Sequence, residues 1–183
     1  MSIPPLILRI VPQSVQKKIH QMALSYWWIG VCVVGLSAWA GAEMLEVIGK
    51  WPACRLCHIE RLIFLVMGLL SALRIGAKKW ESLLGSTLTT FLSWSVIGTS
   101  ILGSLISLYH TAIQFHWIAL PSFCKIPRTG TFEQFMALPS ATCDEWTLSF
   151  LFIPMPVYLF FLFENIAIYS WYFSRVKTPP SPH

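Results

Sequence analysis

Long stretches without a single charge constrain this chain more than any other feature. Ile19 to Ala42 holds 24 residues with no Asp, Glu, Lys or Arg; Ser82 to Cys124 holds 43, and Trp146 to Phe163 holds 18. A helix needs ~20 mostly apolar residues to cross a bilayer, so each gap has room for one span. The middle gap ends in a polar-aromatic exit, Tyr109-His110-Thr111. Leu62 to Leu73, between Arg61 and Arg74, is too short to cross alone. It reaches span length by starting near Cys54, which draws His58, Glu60 and Arg61 into its first turns. The reading is an all-α membrane protein, a single domain over 1–183. Its four spans fall at about 23–44, 54–75, 83–109 and 147–172, with exterior loops at about 45–53 and 110–146.

Composition agrees. The chain is 55% hydrophobic and only 11% charged, whereas a soluble domain is roughly 25% charged. Disorder is excluded by the same figures, because unfolded chains are poor in apolar residues and rich in charge. Trp27, Trp28, Trp51, Trp80, Trp117, Trp146 and Trp171 fall near span ends, where amphipathic rings favour the interface. Trp39 and Trp94 lie inside spans and are expected to be packing residues. The basic residues set the direction. Eight of them (Arg9, Lys17, Lys18, Arg74, Lys78, Lys79, Arg175, Lys177) lie on the side of the termini and the middle turn, and five (Lys50, Arg55, Arg61, Lys125, Arg128) on the other. The positive-inside rule then makes both termini cytoplasmic. A signal peptide is the competing reading of the start, but the apolar run exceeds the ~7–15 residues of a signal core. An uncleaved helix is expected.

That orientation puts four of the five cysteines on the exterior side, where disulfides persist. Cys32 lies within the first span as a small buried residue. Cys54-Arg55-Leu56-Cys57 opens the second span, and Cys124 and Cys143 follow the third. Four thiols allow three pairings. Structural staples are the plainer reading, yet a helix bundle gains little from a four-residue ring. With the helix starting near Cys54, Cys57 sits in its first turn, where free amides and the helix dipole favour a thiolate. Arg61 stands one turn deeper on the same face, an ionisable residue just inside the membrane and so a functional candidate; snorkelling, with Glu60 as partner, is the alternative. Cys54-x-x-Cys57-His58 also matches the c-type haem attachment signature, but in the mouth of a span with no soluble fold to bury a porphyrin. Zinc on Cys54, Cys57, His58 and a loop cysteine would need ligands separated by long hydrophobic stretches. No metal and no nucleic-acid partner is expected.

The ordered set Pro52-Ala53-Cys54-Arg55-Leu56-Cys57, Glu60-Arg61, Tyr109-His110-Thr111 with Gln114, then Cys124 and Cys143 resembles the DsbB family of bacterial thiol:quinone oxidoreductases over nearly the whole chain. The vitamin K epoxide reductase family shares the four-helix plan but places its loop cysteines before the Cys-x-x-Cys. The resemblance implies an inner-membrane enzyme whose active loops face the periplasm, with redox disulfides Cys54–Cys57 and Cys124–Cys143. A DsbA-like thiol oxidase would attack at Cys124, Cys143 would exchange with Cys54, and Cys57 would face a quinone, either ubiquinone or menaquinone. Arg61 would polarise a quinone oxygen, and His110 and Gln114 would help hold it. Thr131 to Leu138 fits a short helix lying on the bilayer. Glu164 has no evident partner or role. The alternative from another class is a non-catalytic membrane scaffold or redox sensor with structural disulfides.

Overall fold

The computed structural model describes residues 13–49, 53–79, 81–124, 142–144 and 149–175. Four helices account for most of them: α1 Gln13–Val47, α2 Arg55–Lys79, α3 Glu81–Gln114 and α4 Met155–Arg175. A 3-10 turn spans Ser122–Cys124, and a minimal antiparallel hairpin pairs β1 Ser149–Phe150 with β2 Ile153–Pro154. Among the described residues three segments are long and apolar enough to cross a membrane: Ser25–Val47, Arg55–Lys78 and Ser86–Gln114. Helix α4 carries the adjacent polar pair Glu164-Asn165 together with Tyr158, Tyr169, Trp171 and Tyr172.

Each helix packs antiparallel on the next. Arg74 reaches Ser93, Met67 meets Ser100 and Glu60 meets His110, so α2 and α3 run in opposite directions. Trp28 under Arg74 and Glu46 beside Arg61 show the same for α1 and α2. The α1–α2 crossing depends on glycine. A Cβ at Gly35 would stand 2.8 Å from the Phe64 carbonyl oxygen and 2.9 Å from the Gly68 Cα, so only a bare backbone permits this approach. Helix α4 packs along α3 and touches α1 lightly, where Trp27 Nε1 donates to Ser170 Oγ at 3.1 Å. The main core gathers Trp28, Val31, Ile63, Phe64, Met67, Val96, Phe163 and Ile166, with the Phe64 and Phe163 rings stacked at 4.4 Å. Outward faces carry Leu62, Leu69, Leu73, Phe91, Leu105 and Ile168, all exposed, as suits a lipid-facing surface.

Several expectations need correction. The third helix runs on to Gln114, so Tyr109-His110-Thr111 is helix body, not an exit. It ends where His116 adopts a left-handed φ of 58°. There the amides of His116 and Trp117 bond back to Ile113 and Ala112, the paired capping bonds that terminate many helices. The last helix begins at Met155, not near 147. A helix from 147 would carry Pro154 and Pro156 in its interior, where each lacks an amide donor and clashes with the preceding turn. Starting at Met155 puts Pro156 in the first turn, where no donor is needed. Trp28, near the start of the first span, is fully buried within the bundle, with the Arg74 guanidinium 3.9 Å above its ring, and Trp94 is 45% exposed rather than packed inside. The proposed helix over Thr131 to Leu138 lies outside the described residues.

Candidate active site

The site starts from how α2 begins. Cys54 is the residue just before the helix, and its carbonyl accepts the first helical bond from His58 N–H at 3.2 Å. Its sulfur accepts the Cys57 amide at 3.2 Å, taking the place that a Ser or Asp oxygen usually fills at a helix N-cap. The Cys57 Sγ lies 2.8 Å from Cys54 Sγ, and both are thiols here. Hydrogen bonding from the Cys57 thiol, and then from the Cys57 amide, holds the Cys54 thiol below its ordinary pKa against the opposing pull of burial. The first-turn amide expected to serve Cys57 thus serves Cys54.

Helix α3 supplies the opposite wall. His110 is fully buried; its Nε2 is 3.5 Å from Cys54 Sγ, and its Nδ1 is 3.3 Å from Glu60 Oε1. A Glu60 carboxylate accepts from Nδ1–H, and that tautomer leaves Nε2 as an acceptor facing the sulfur. Gln114, one turn further on the same face, brings its Nε2 within 3.5 Å of the same ring nitrogen. Glu60 is 2% exposed, so carboxylate and imidazole form a buried pair between two helices.

Arg61 points to α1, not to Glu60. Its Nη1 contacts the Glu46 carboxylate and lies 3.7 Å from Glu43 Oε1. His58, the residue that completes the haem-like signature, lies 3.7 Å from Glu46 Oε1. These contacts frame a cavity of about 320 Å³ among the four helices. One end is polar, with Cys57, Glu60, Arg61, His110 and Gln114; the rest is walled by Ala38, Gly41, Ala42, Leu45, Phe64 and Leu159. That volume lies at the lower end of small-molecule pockets, about 300–1,000 Å³. An apolar slot with hydrogen-bond donors at one end fits a flat, largely hydrophobic molecule carrying oxygen acceptors.

The second cysteine pair lies close by. Cys124 and Cys143 are joined as a disulfide with Cα atoms 5.5 Å apart. Both are buried, and they share one cluster with Cys54, Leu56 and Ile113. The backbone of Cys143 also lies against the His110 ring. Cys54, Cys57, Cys124, Cys143, His110 and Gln114 are therefore assembled at one end of the bundle, and Arg61 faces the cavity they adjoin. Cys32 is a free, half-buried thiol outside this assembly. Glu164 has a partner after all: Ser104 Oγ on α3 donates to its Oε1 at 2.6 Å.

The sequence reading missed Glu43 and Glu46, and used Glu60 only as part of a motif and as an alternative partner for Arg61. Glu60 follows Cys57 by three residues, a spacing that shares a helix face. Glu43 is the first charge after the 24-residue gap, a hint that α1 ends beside the arginine of α2.

A family model described as disulfide bond formation protein DsbB matches residues 24–173. No curated protein sequence matches the chain.

Proposed function

Because the chain belongs to the DsbB family of disulfide bond formation proteins, we propose that it is a membrane oxidoreductase that reoxidises a periplasmic DsbA-like dithiol oxidase and passes the electrons to a membrane quinone. The observation that carries this reading is the joint placement of the two cysteine pairs. Cys54 packs with Cys124 and Cys143, whereas Cys57 lines the cavity beside Arg61. Cys57 borders the small-molecule slot, and the Cys124–Cys143 pair is the one we assign to the thiol-bearing partner.

The relay balances in three exchanges. A reduced partner attacks Cys124, and its second thiol releases it as a disulfide, leaving Cys124 and Cys143 as thiols. The Cys143 thiolate attacks Cys54 of an oxidised Cys54–Cys57 pair and displaces Cys57 as a thiolate. Cys124 then resolves the Cys143–Cys54 bond, so that the outer disulfide returns and Cys54 and Cys57 hold the electron pair. Quinone, ubiquinone or menaquinone, supplies the final two-electron, two-proton acceptor when bound. Cys57 would lie against it, the Arg61 guanidinium would orient and polarise an oxygen, and Gln114 would hold its edge. His110, fixed by Glu60, would take the Cys54 proton on Nε2 and pass it toward the cavity. Thiol–disulfide exchange needs an available thiolate at each step, and the N-cap position of Cys54 favours one.

The topology follows from the same reading. Helix α4 has 21 residues, which rise about 31 Å and so match a hydrocarbon core of ~30 Å. We take it as a fourth span, with both termini cytoplasmic and both cysteine pairs at the periplasmic face of the inner membrane.

Purified protein given the reduced partner and quinone should form quinol, and Cys57→Ser should abolish it. Undiminished turnover by that variant would sink the mechanism. A Cys143→Ser variant should accumulate a mixed disulfide through Cys124, and mass spectrometry of its other half identifies the partner. A scaffold with structural disulfides predicts neither quinol nor a trapped partner.

A further inference from the structure

The cluster at the start of α2 holds a donor set with a second chemistry. Cys54 Sγ, Cys57 Sγ and a ring nitrogen of His110 all lie within 4.8 Å of one another. Around a tetrahedral zinc ion with Zn–S of about 2.3 Å and Zn–N of about 2.0–2.1 Å, a sulfur and a nitrogen ligand stand about 3.6 Å apart. Cys54 Sγ and His110 Nε2 are already 3.5 Å apart. Two sulfur ligands of the same ion would stand about 3.8 Å apart. The observed 2.8 Å is shorter, so the two sulfurs must part by about 1 Å to share an ion, and Cys57 borders open space in the cavity. Cys-x-x-Cys is itself the spacing by which many proteins present two thiolates to zinc.

The surroundings complete the site. Metal-bound imidazoles commonly donate their other N–H to a carboxylate, which fixes the tautomer and strengthens the ligand. Glu60 stands in that position, 3.3 Å from His110 Nδ1 and almost fully buried. Cys57, Glu60 and His110 border the cavity, so a fourth position is open to water. Charge selects the ion. Two thiolates and a neutral imidazole make a neutral unit with a divalent cation, but leave a net negative charge beside the buried Glu60 carboxylate with a monovalent one. Sulfur and imidazole together favour soft, thiophilic ions. The ligand set differs from the one that Cys54-x-x-Cys57-His58 suggests: His58 faces Glu46, and the third ligand comes from α3.

We propose that the reduced Cys54–Cys57 pair and His110 form a capture site for a thiophilic divalent d10 cation, zinc or cadmium, which exists only while the pair is reduced. On binding, two S–H bonds give up their protons, two metal–sulfur bonds and one metal–nitrogen bond form, and no atom changes oxidation state. A disulfide offers no thiolate, so oxidation abolishes the site. A bound ion ties up Cys57 and stops transfer toward the cavity.

The test uses Cd2+ alone on the full-length chain, in detergent, reduced with a phosphine, with Cys124 and Cys143 replaced by Ser. One ion per chain should bind, with an ultraviolet thiolate-to-cadmium charge-transfer band that Cys54→Ser removes and prior oxidation prevents. Glu60→Gln touches no ligand-to-metal bond, yet should weaken affinity about tenfold or more; His110→Gln should weaken it further. A missing band, equal uptake by the oxidised protein, or unchanged affinity in both Glu60→Gln and His110→Gln overturns the site. The band reads binding without turnover. A chain that binds cadmium but reduces no quinone keeps this site and loses the function proposed above.

Discussion

Cys54 and Cys57 are one helical turn apart, but their neighbours divide the work. Cys54 caps α2, accepts the Cys57 amide and packs against the second cysteine pair; Cys57 opens on the cavity. Arg61 lines that cavity too, held by Glu46 and Glu43 so that its guanidinium lies in the wall. Hydrogen bonds to charged groups contribute about 1.5–3 kcal/mol. Arg61→Ala should therefore raise the quinone KM roughly tenfold to a hundredfold, with a much smaller effect on thiol exchange with the partner. Equal quinone saturation in the two proteins would remove Arg61 from the site. Glu60 has a different duty. Leaving the buried His110 N–H without its acceptor costs about 1–3 kcal/mol, so Glu60→Ala should lower the unfolding temperature. Glu60→Gln, which keeps an acceptor for His110 Nδ1–H, should lower it much less. Indistinguishable melting curves for the two variants would mean that the carboxylate makes no contribution through His110.

At the scale of elements, close approach and termination decide the architecture. Gly35 lets α1 meet α2 at the Phe64 carbonyl and Gly68. Overpacking such a contact typically costs about 1–3 kcal/mol, so Gly35→Ala should unfold at lower temperature in the same detergent. Gly76 has nothing within 4 Å of an added Cβ, and Gly76→Ala should hold or gain slightly, by under about 1 kcal/mol. If both variants melt alike, the helices do not meet through Gly35. The charge gaps announced α1, α3 and α4, and the length a span needs announced α2, because solvent preference is written locally, one side chain at a time. The start of α4 was equally local, since Pro154 and Pro156 forbid a helix interior there, but hydropathy alone passed over it. The meeting of His110 with Glu60 and Cys54 had no local signature. It depends on the register of α2 against α3, which the packing of Met67 on Ser100 and Arg74 on Ser93 sets several turns away. For the same reason His110 reads as part of an exit from the span, and Glu60 as a partner for Arg61.

For the whole molecule, one end of the bundle holds a stack: the Cys124–Cys143 disulfide, the Cys54–Cys57 pair packed against it, and the cavity that Cys57 lines. Its order has a consequence for access. Cys124 is 3% exposed and Cys143 fully buried, while Cys54 is 2% exposed, so reagents in water should reach none of these three quickly in the resting protein. A partner must displace cover to attack Cys124. After mild reduction, Cys124 and Cys143 lose the bond that holds their loop in place, whereas Cys54 stays anchored by the Cys57 amide and the His110 ring. A membrane-impermeant maleimide added from the periplasmic side of intact cells should then label Cys124 and Cys143 first and Cys54 and Cys57 slowly. Cys32, within the first span, should stay unlabelled from either side. A fluorescent protein fused after His183 should report a cytoplasmic C-terminus. Rapid labelling of Cys54 before the loop pair would reverse the stack and place the electron entry at α2. Labelling of Cys124 from the cytoplasmic side only would invert the orientation drawn from the basic residues.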